Sequence, residues 1–168
     1  PSNKTEVGDK SKVQIIDNIP GAPNPPHTLS ITSEILNENR NIYVQLPEGY
    51  DQSNENYPVL FVMDGEWLFH LANAHQRFYS YDEVTDQNIP PMIVVGIENT
   101  DRDRDYVPTT NSGNNYYSAS AGGADNFIKF LETELIPILD NRYRTAQHRA
   151  VIGWSFSGLF SAYVAVTK

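Results

Sequence analysis

The sequence predicts an α/β domain in three layers, with helices on both faces of a mostly parallel sheet and an antiparallel hairpin in front. Three observations predict it. Apolar runs at 59–63, 92–97 and 149–153 read as strands buried on both faces. Segments with helical spacing of apolar residues alternate with those runs. Two β-type stretches, 29–36 and 41–46, precede them across the polar turn Asn37-Glu38-Asn39-Arg40.

Residues 1–28 hold five prolines (Pro1, Pro20, Pro23, Pro25, Pro26) and read as an extended arm with one short strand at 13–16. The domain proper is expected over 29–168. After the hairpin, Pro47-Glu48-Gly49-Tyr50 opens a polar loop that runs to Tyr57. The apolar run at 59–63 ends in Asp64-Gly65. Leu71, Ala74 and Phe78 mark a helix over 67–81, and 92–97 is the next strand. Residues 99–123 are long, polar and irregular, the pattern of a functional or mobile loop. Phe127, Phe130, Leu131, Leu135 and Leu139 give the clearest helix, 124–141, with Pro137 bending its last turn. A strand at 149–153 and a helix at 156–168 close the chain. No repeat or low-complexity segment interrupts this order.

Composition narrows the function. Hydrophobic residues make up 39% of the 168, enough to build a core. Lys and Arg total 12 against 21 Asp and Glu, a formal charge of −9, which repels phosphate backbones and argues against nucleic acid. With no cysteine, disulfides, thiolate catalysis and Cys-based metal sites are excluded. No apolar run reaches the roughly 20 residues of a membrane helix. The chain begins Pro1-Ser2-Asn3 without Met or signal peptide, so its natural start is expected to have been processed or cut.

Chemistry concentrates at Gly153-Trp154-Ser155-Phe156-Ser157-Gly158, between a strand and a helix. A nucleophilic serine needs its hydroxyl held out on a tight turn with small neighbours, so that strand and helix approach closely. The N–H of Phe156 then lies at a helix N-terminus, where it can stabilise an oxyanion. Serine replaces the usual glycine at Ser157, and its small size is expected to preserve the turn. A phosphate-binding loop would need Gly-Lys-Ser/Thr, and this loop holds no lysine. Asp64-Gly65-Glu66-Trp67 ends the strand two before, where the backbone N–H of Glu66 would be the second oxyanion donor; the other reading is an ordinary Asp-Gly turn. Asp101-Arg102-Asp103-Arg104-Asp105 alternates like a calcium loop, yet Tyr106 stands where that loop needs Gly, which favours a salt-bridged segment. His70 and His75 lie five apart, not the four that metal-binding helices use. No metal or organic cofactor is expected.

On four segments the chain resembles a known family of α/β-hydrolase esterases. They are 57–65 (Tyr-Pro-Val-Leu-Phe-Val-Met-Asp-Gly), 95–102 (Val-Gly-Ile-Glu-Asn-Thr-Asp-Arg), 122–127 (Gly-Gly-Ala-Asp-Asn-Phe) and 151–160, which holds Ser155. The family includes ferric-enterobactin esterases, S-formylglutathione hydrolases, feruloyl esterases and mycolyltransferases. The ending Ser-x-x-Gly-Leu-Phe is similar to the siderophore-esterase branch. The resemblance implies ester hydrolysis through an acyl-enzyme on Ser155, a small-molecule ester substrate, and a pocket near Trp154, Trp67 and Arg104. Trp154 stands where many members carry His, and Arg104 is equally readable as a solvated surface residue. Tyr116 and Tyr117 either wall the pocket or cover the core.

The resemblance also implies an acid and then a histidine downstream of the serine. Thirteen residues follow Ser155, none of them Asp, Glu or His. His27, His70, His75 and His148 all precede it, and His148 is expected ahead of the last strand, near the opposite edge of the sheet. The 168-residue chain is therefore expected to be an N-terminal piece of the fold, inactive alone and with an open sheet edge. That edge invites a C-terminal segment or self-association. An acyltransferase on the same scaffold and a non-catalytic binding module are the alternatives; acyl group, alcohol and compartment stay open.

Overall fold

A computed structural model describes residues 13–18, 25–81, 89–110 and 117–168. Their strands are β1 (Val13–Asn18), β2 (His27–Ser33), β3 (Glu38–Gln45), β4 (Tyr57–Met63), β5 (Ile93–Ile97) and β6 (Thr145–Ile152). They form one sheet in the order β1-β2-β3-β5-β4-β6. The first three strands and the β3–β5 pair are antiparallel, whereas β5, β4 and β6 run parallel. The expected hairpin is β2–β3, and β1 adds a strand beside it at 13–18.

Side-chain alternation along the parallel strands sorts the helices into two layers. On one face, Val62 and Val94 pack on Phe69 of α1 (Gly65–Tyr81), with Tyr43, Leu60, Leu68 and Ala72 around them. On the other, Val59, Phe61, Met63, Ile93, Val95 and Ile97 join the larger core. That core is covered by α2 (Arg102–Tyr106), α3 (Ala124–Phe130), α4 (Ile136–Arg142) and α5 (Phe156–Thr167). Tyr106, Phe127 and Phe160 meet there with ring centroids 5.3–5.6 Å apart, and all three are fully buried.

Three details differ from expectation. The bend assigned to Pro137 is a π-helical turn, Leu131–Leu135, that joins α3 to α4. Proline lacks the N–H for the next intrahelical bond, so the helix changes register just before it. The polar segment 99–123 contains the short helix α2, begun where the Asp101 carboxylate accepts the Arg104 N–H at 3.1 Å. The last strand, expected to be buried, is largely exposed and starts at Thr145, so His148 lies within β6 rather than ahead of it. Its position explains this: β6 pairs with β4 on one side and ends the sheet among the described residues.

Candidate active site

Trp154, Ser155, Phe156, Glu66, Trp67 and Arg104 all come from segments that follow the carboxyl ends of the three parallel strands. β4 and β6 are parallel neighbours, with Val62 opposite Ile152, so the turn after Met63 and the turn after Ile152 emerge side by side. β5 ends beside them, with Met63 opposite Ile97. Open α/β sheets place their ligands at such carboxyl ends.

At the end of β6 the chain turns sharply into α5. Ser155 has φ 58° and ψ −118°, a conformation that costs a non-glycine residue about 1–3 kcal/mol and persists only where its surroundings enforce it. The surroundings are tight. A Cβ on Gly153 would lie 2.4 Å from the backbone C and O of Ser157, so only glycine lets strand and helix approach this closely. Ser155 itself is exposed at the corner, and Phe156 begins α5 immediately after it. The neighbouring turn is as constrained: Asp64 has φ 53°, and a Cβ on Gly65 would come within 2.6 Å of the Ile97 nitrogen. Glu66 follows in the first turn of α1, its carboxylate accepting from the backbone N–H of Asn99 at 3.1 Å and from the Asn99 side-chain amide.

The two turns are bound together by a buried polar cluster that composition and spacing did not reveal. Ser157 Oγ accepts the Trp154 N–H at 2.7 Å and donates to Asp64 Oδ2 at 2.7 Å. Both side chains are almost wholly buried. Asp64 is held in turn by a fork of hydrogen bonds from Arg102, Nε to Oδ1 at 2.8 Å and Nη2 to Oδ2 at 2.9 Å. Arg102 Nη2 also donates to the Trp154 carbonyl at 3.3 Å. Its guanidinium lies 5.4 Å from the Trp67 ring centroid and 5.7 Å from that of Phe156. Hydrogen bonding to Asp64 raises the Arg102 pKa further, so it stays a cation. Beneath, the Tyr106 hydroxyl accepts the Asp64 N–H at 3.2 Å, and burial pushes that hydroxyl well above the usual range.

The other candidates fall in different places. Trp67 and Trp154 are large and exposed, at 65% and 60%. The Tyr117 ring packs 5.6 Å from Phe156, while Tyr116 lies outside the described residues. Arg104 points to other partners: its guanidinium donates to Glu38 at 2.8 Å, Asp105 at 2.7 Å and Thr100 at 3.0 Å. Together with fully buried Arg40, which pairs with Asp105 and Glu38, it forms an ionic cluster between α2 and β3. Arg102, two residues earlier, is the arginine that meets the serine turn. The signal that could have found it was that Asp64 follows β4 directly and Arg102 opens α2, the first helix after the adjacent strand β5. His70 and His75 are exposed on α1, His75 against Tyr79, and His27 contacts Tyr143. Among the described residues no cluster of three or more His, Asp or Glu is arranged to hold a metal ion, and no helix is long and apolar enough to cross a membrane.

Comparison with known proteins gives one consistent picture. The family model described as "Putative esterase" matches residues 33–168. Ferri-bacillibactin esterase BesA of Bacillus subtilis is 30% identical over 149 residues, which cover 79% of this chain and 50% of BesA. The uncharacterised protein YbbA of the same organism is 26% identical over 134 residues, covering 74% and 50%. The crystal structure of an IroE-like serine hydrolase from Shewanella oneidensis superposes with a TM-score of 0.75 at 39% identity, covering 82% of this chain and 45% of that one. The siderophore hydrolase EstB of Aspergillus nidulans shares the fold, at 21% identity and a TM-score of 0.69, over 91% and 55%. The chain spans about half the length of the curated relatives it matches.

Proposed function

Because this chain belongs to the Esterase family, a family of α/β-hydrolase type, we propose that it carries the nucleophilic half of a serine esterase. The observation that carries the reading is the backbone of Ser155, exposed in a strained conformation at the corner where β6 becomes α5. Such a corner presents a hydroxyl to substrate, whereas a structural serine has no need of the strain.

In this reading Ser155 Oγ attacks the ester carbonyl. The backbone N–H groups of Phe156 and Glu66 receive the oxyanion, one from each of the two adjacent turns. Collapse of the tetrahedral intermediate expels the alcohol and leaves an acyl-serine that water hydrolyses. A serine alone is a weak nucleophile, so a histidine with its acid must take the proton. None of the chain's four histidines stands in the serine turn, and the base is assigned to the remainder of the whole protein. The 168 residues by themselves are expected to hydrolyse little.

For substrate class we favour a siderophore-type ester. Support comes from the named activity of BesA, together with the two exposed tryptophans, Trp67 and Trp154, beside the serine turn. The test is turnover by the whole protein of a catecholate trilactone and of simple p-nitrophenyl esters, before and after Ser155→Ala. Loss of hydrolysis of both ester kinds, by roughly a million-fold, is expected on removal of an activated nucleophile. Undiminished turnover would reject the reading.

A further inference from the structure

One cation ties together every part of the proposed site. Arg102 reaches Asp64 through two parallel hydrogen bonds, the Trp154 carbonyl through a third, and the faces of Trp67 and Phe156. Asp64 belongs to the turn that carries Glu66; Trp154 and Phe156 flank Ser155. Ser157 completes the circuit by joining the Trp154 N–H to the Asp64 carboxylate.

Asp64 also poses an electrostatic problem. It is an acid with 1% exposure, held one hydrogen bond from the loop in which negative charge develops during attack on an ester. Among the described residues Arg102 is the only ion-pair partner of Asp64. Left alone, that carboxylate would oppose the oxyanion through a low-dielectric interior.

On the reading that Ser155 is the nucleophile, we propose that Arg102 is a positioning residue for it. It fixes the spacing between the Ser155 and Glu66 turns and cancels the charge of Asp64 beside the oxyanion. The planar fork matters to both tasks. Lysine would offer a point charge without the second parallel bond or the stacking on two rings.

The experiment uses the whole protein as wild type and as Arg102→Lys, Arg102→Gln, Asp64→Asn and the Arg102→Gln/Asp64→Asn double variant. Each is checked for folding by circular dichroism. It is then measured for kcat and KM on p-nitrophenyl butyrate and for the rate at which a fluorophosphonate labels Ser155. Misplacing reacting groups by about 1 Å costs on the order of a hundredfold. Arg102→Gln is accordingly expected to lower kcat and labelling by roughly 10- to 100-fold with KM within about twofold. Arg102→Lys should retain more activity, and adding Asp64→Asn to Arg102→Gln should recover several-fold, because the orphaned charge is gone. A merely structural arginine would move the unfolding midpoint and leave kcat and the labelling rate of the folded Arg102→Gln variant near wild type. Should Arg102→Gln fail to fold, Arg102→Lys decides: full wild-type kcat and labelling would overturn the proposal. So would a double variant no faster than Arg102→Gln. Wild-type protein whose Ser155 stays unlabelled refutes the nucleophile reading, and with it this one.

Discussion

The Ser157 hydroxyl donates to Asp64 Oδ2 at 2.7 Å, joining residues 93 positions apart that lie just beyond two adjacent parallel strands. Ser157 has 0% and Asp64 1% exposure, so water cannot substitute for either partner. The hydroxyl has one proton and two lone pairs; it accepts the Trp154 N–H at 2.7 Å and faces two acceptors, Asp64 Oδ2 at 2.7 Å and the Trp154 carbonyl at 2.8 Å. The serine that replaces glycine in this turn is thus a hydrogen-bonded joint between the two halves of the site. Ser157→Ala keeps the volume but takes away the acceptor of the half-buried Trp154 N–H and one donor to the buried Asp64 carboxylate. A buried group left short of a partner costs about 1–3 kcal/mol, so the Asp64 carboxylate sets an expected loss of about 2 kcal/mol in denaturant unfolding of the whole protein. A change within error would show that the joint is dispensable.

Gly153→Ala attacks the same corner sterically. The added Cβ would sit 2.4 Å from the Ser157 backbone, which cannot move without shifting the start of α5. Overpacking of this kind costs about 1–3 kcal/mol. Slower labelling of Ser155 should accompany a lower unfolding midpoint. Wild-type labelling would mean that the close approach is unnecessary.

Stability should fall with acid through a site remote from the serine. His27 contacts the Tyr143 hydroxyl at 2.5 Å, and burial, then the charge of Arg142, lower its pKa below 6.5. The folded state therefore holds that proton less tightly than the unfolded chain. The contribution is fully present above the unfolded value and is lost as pH falls from 6.5 through the folded value. Melting temperatures between pH 8 and pH 5 should drop more for wild type than for His27→Gln. Parallel curves would remove His27 from the account.

The outer edge of β6 makes its own prediction. Ile152 is 45% exposed on this strand and lines an apolar groove with Leu60, Leu68 and Leu71. An exposed strand with apolar neighbours pairs readily with another chain. The 168 residues alone should therefore show concentration-dependent association in sedimentation experiments, reduced by Ile152→Lys. A clean monomer at high concentration would argue against pairing.

How far the sequence led depended on whether a residue's role was local. Val59–Met63 and Ile93–Ile97 read correctly because strands covered on both faces must be continuously apolar. The helix containing Phe127 and Phe130 read correctly from its periodicity. The start of β6 escapes the sequence pattern because Gln147 and His148 face solvent on an edge strand, where polar residues carry no pattern. Choosing between Arg102 and Arg104 required the phase of α2, a helix too short for periodicity to show. Ser157 was readable as small but not as bonded, since its partner Asp64 is brought close only by the parallel pairing of β4 with β6.

The central claim is tested most directly by reacting the whole protein with a fluorophosphonate and mapping the adduct by peptide mass spectrometry. A single adduct on Ser155, formed in step with loss of ester hydrolysis and absent in Ser155→Ala, is the expected result. An adduct on another residue, or hydrolysis that continues once Ser155 is fully modified, would contradict it.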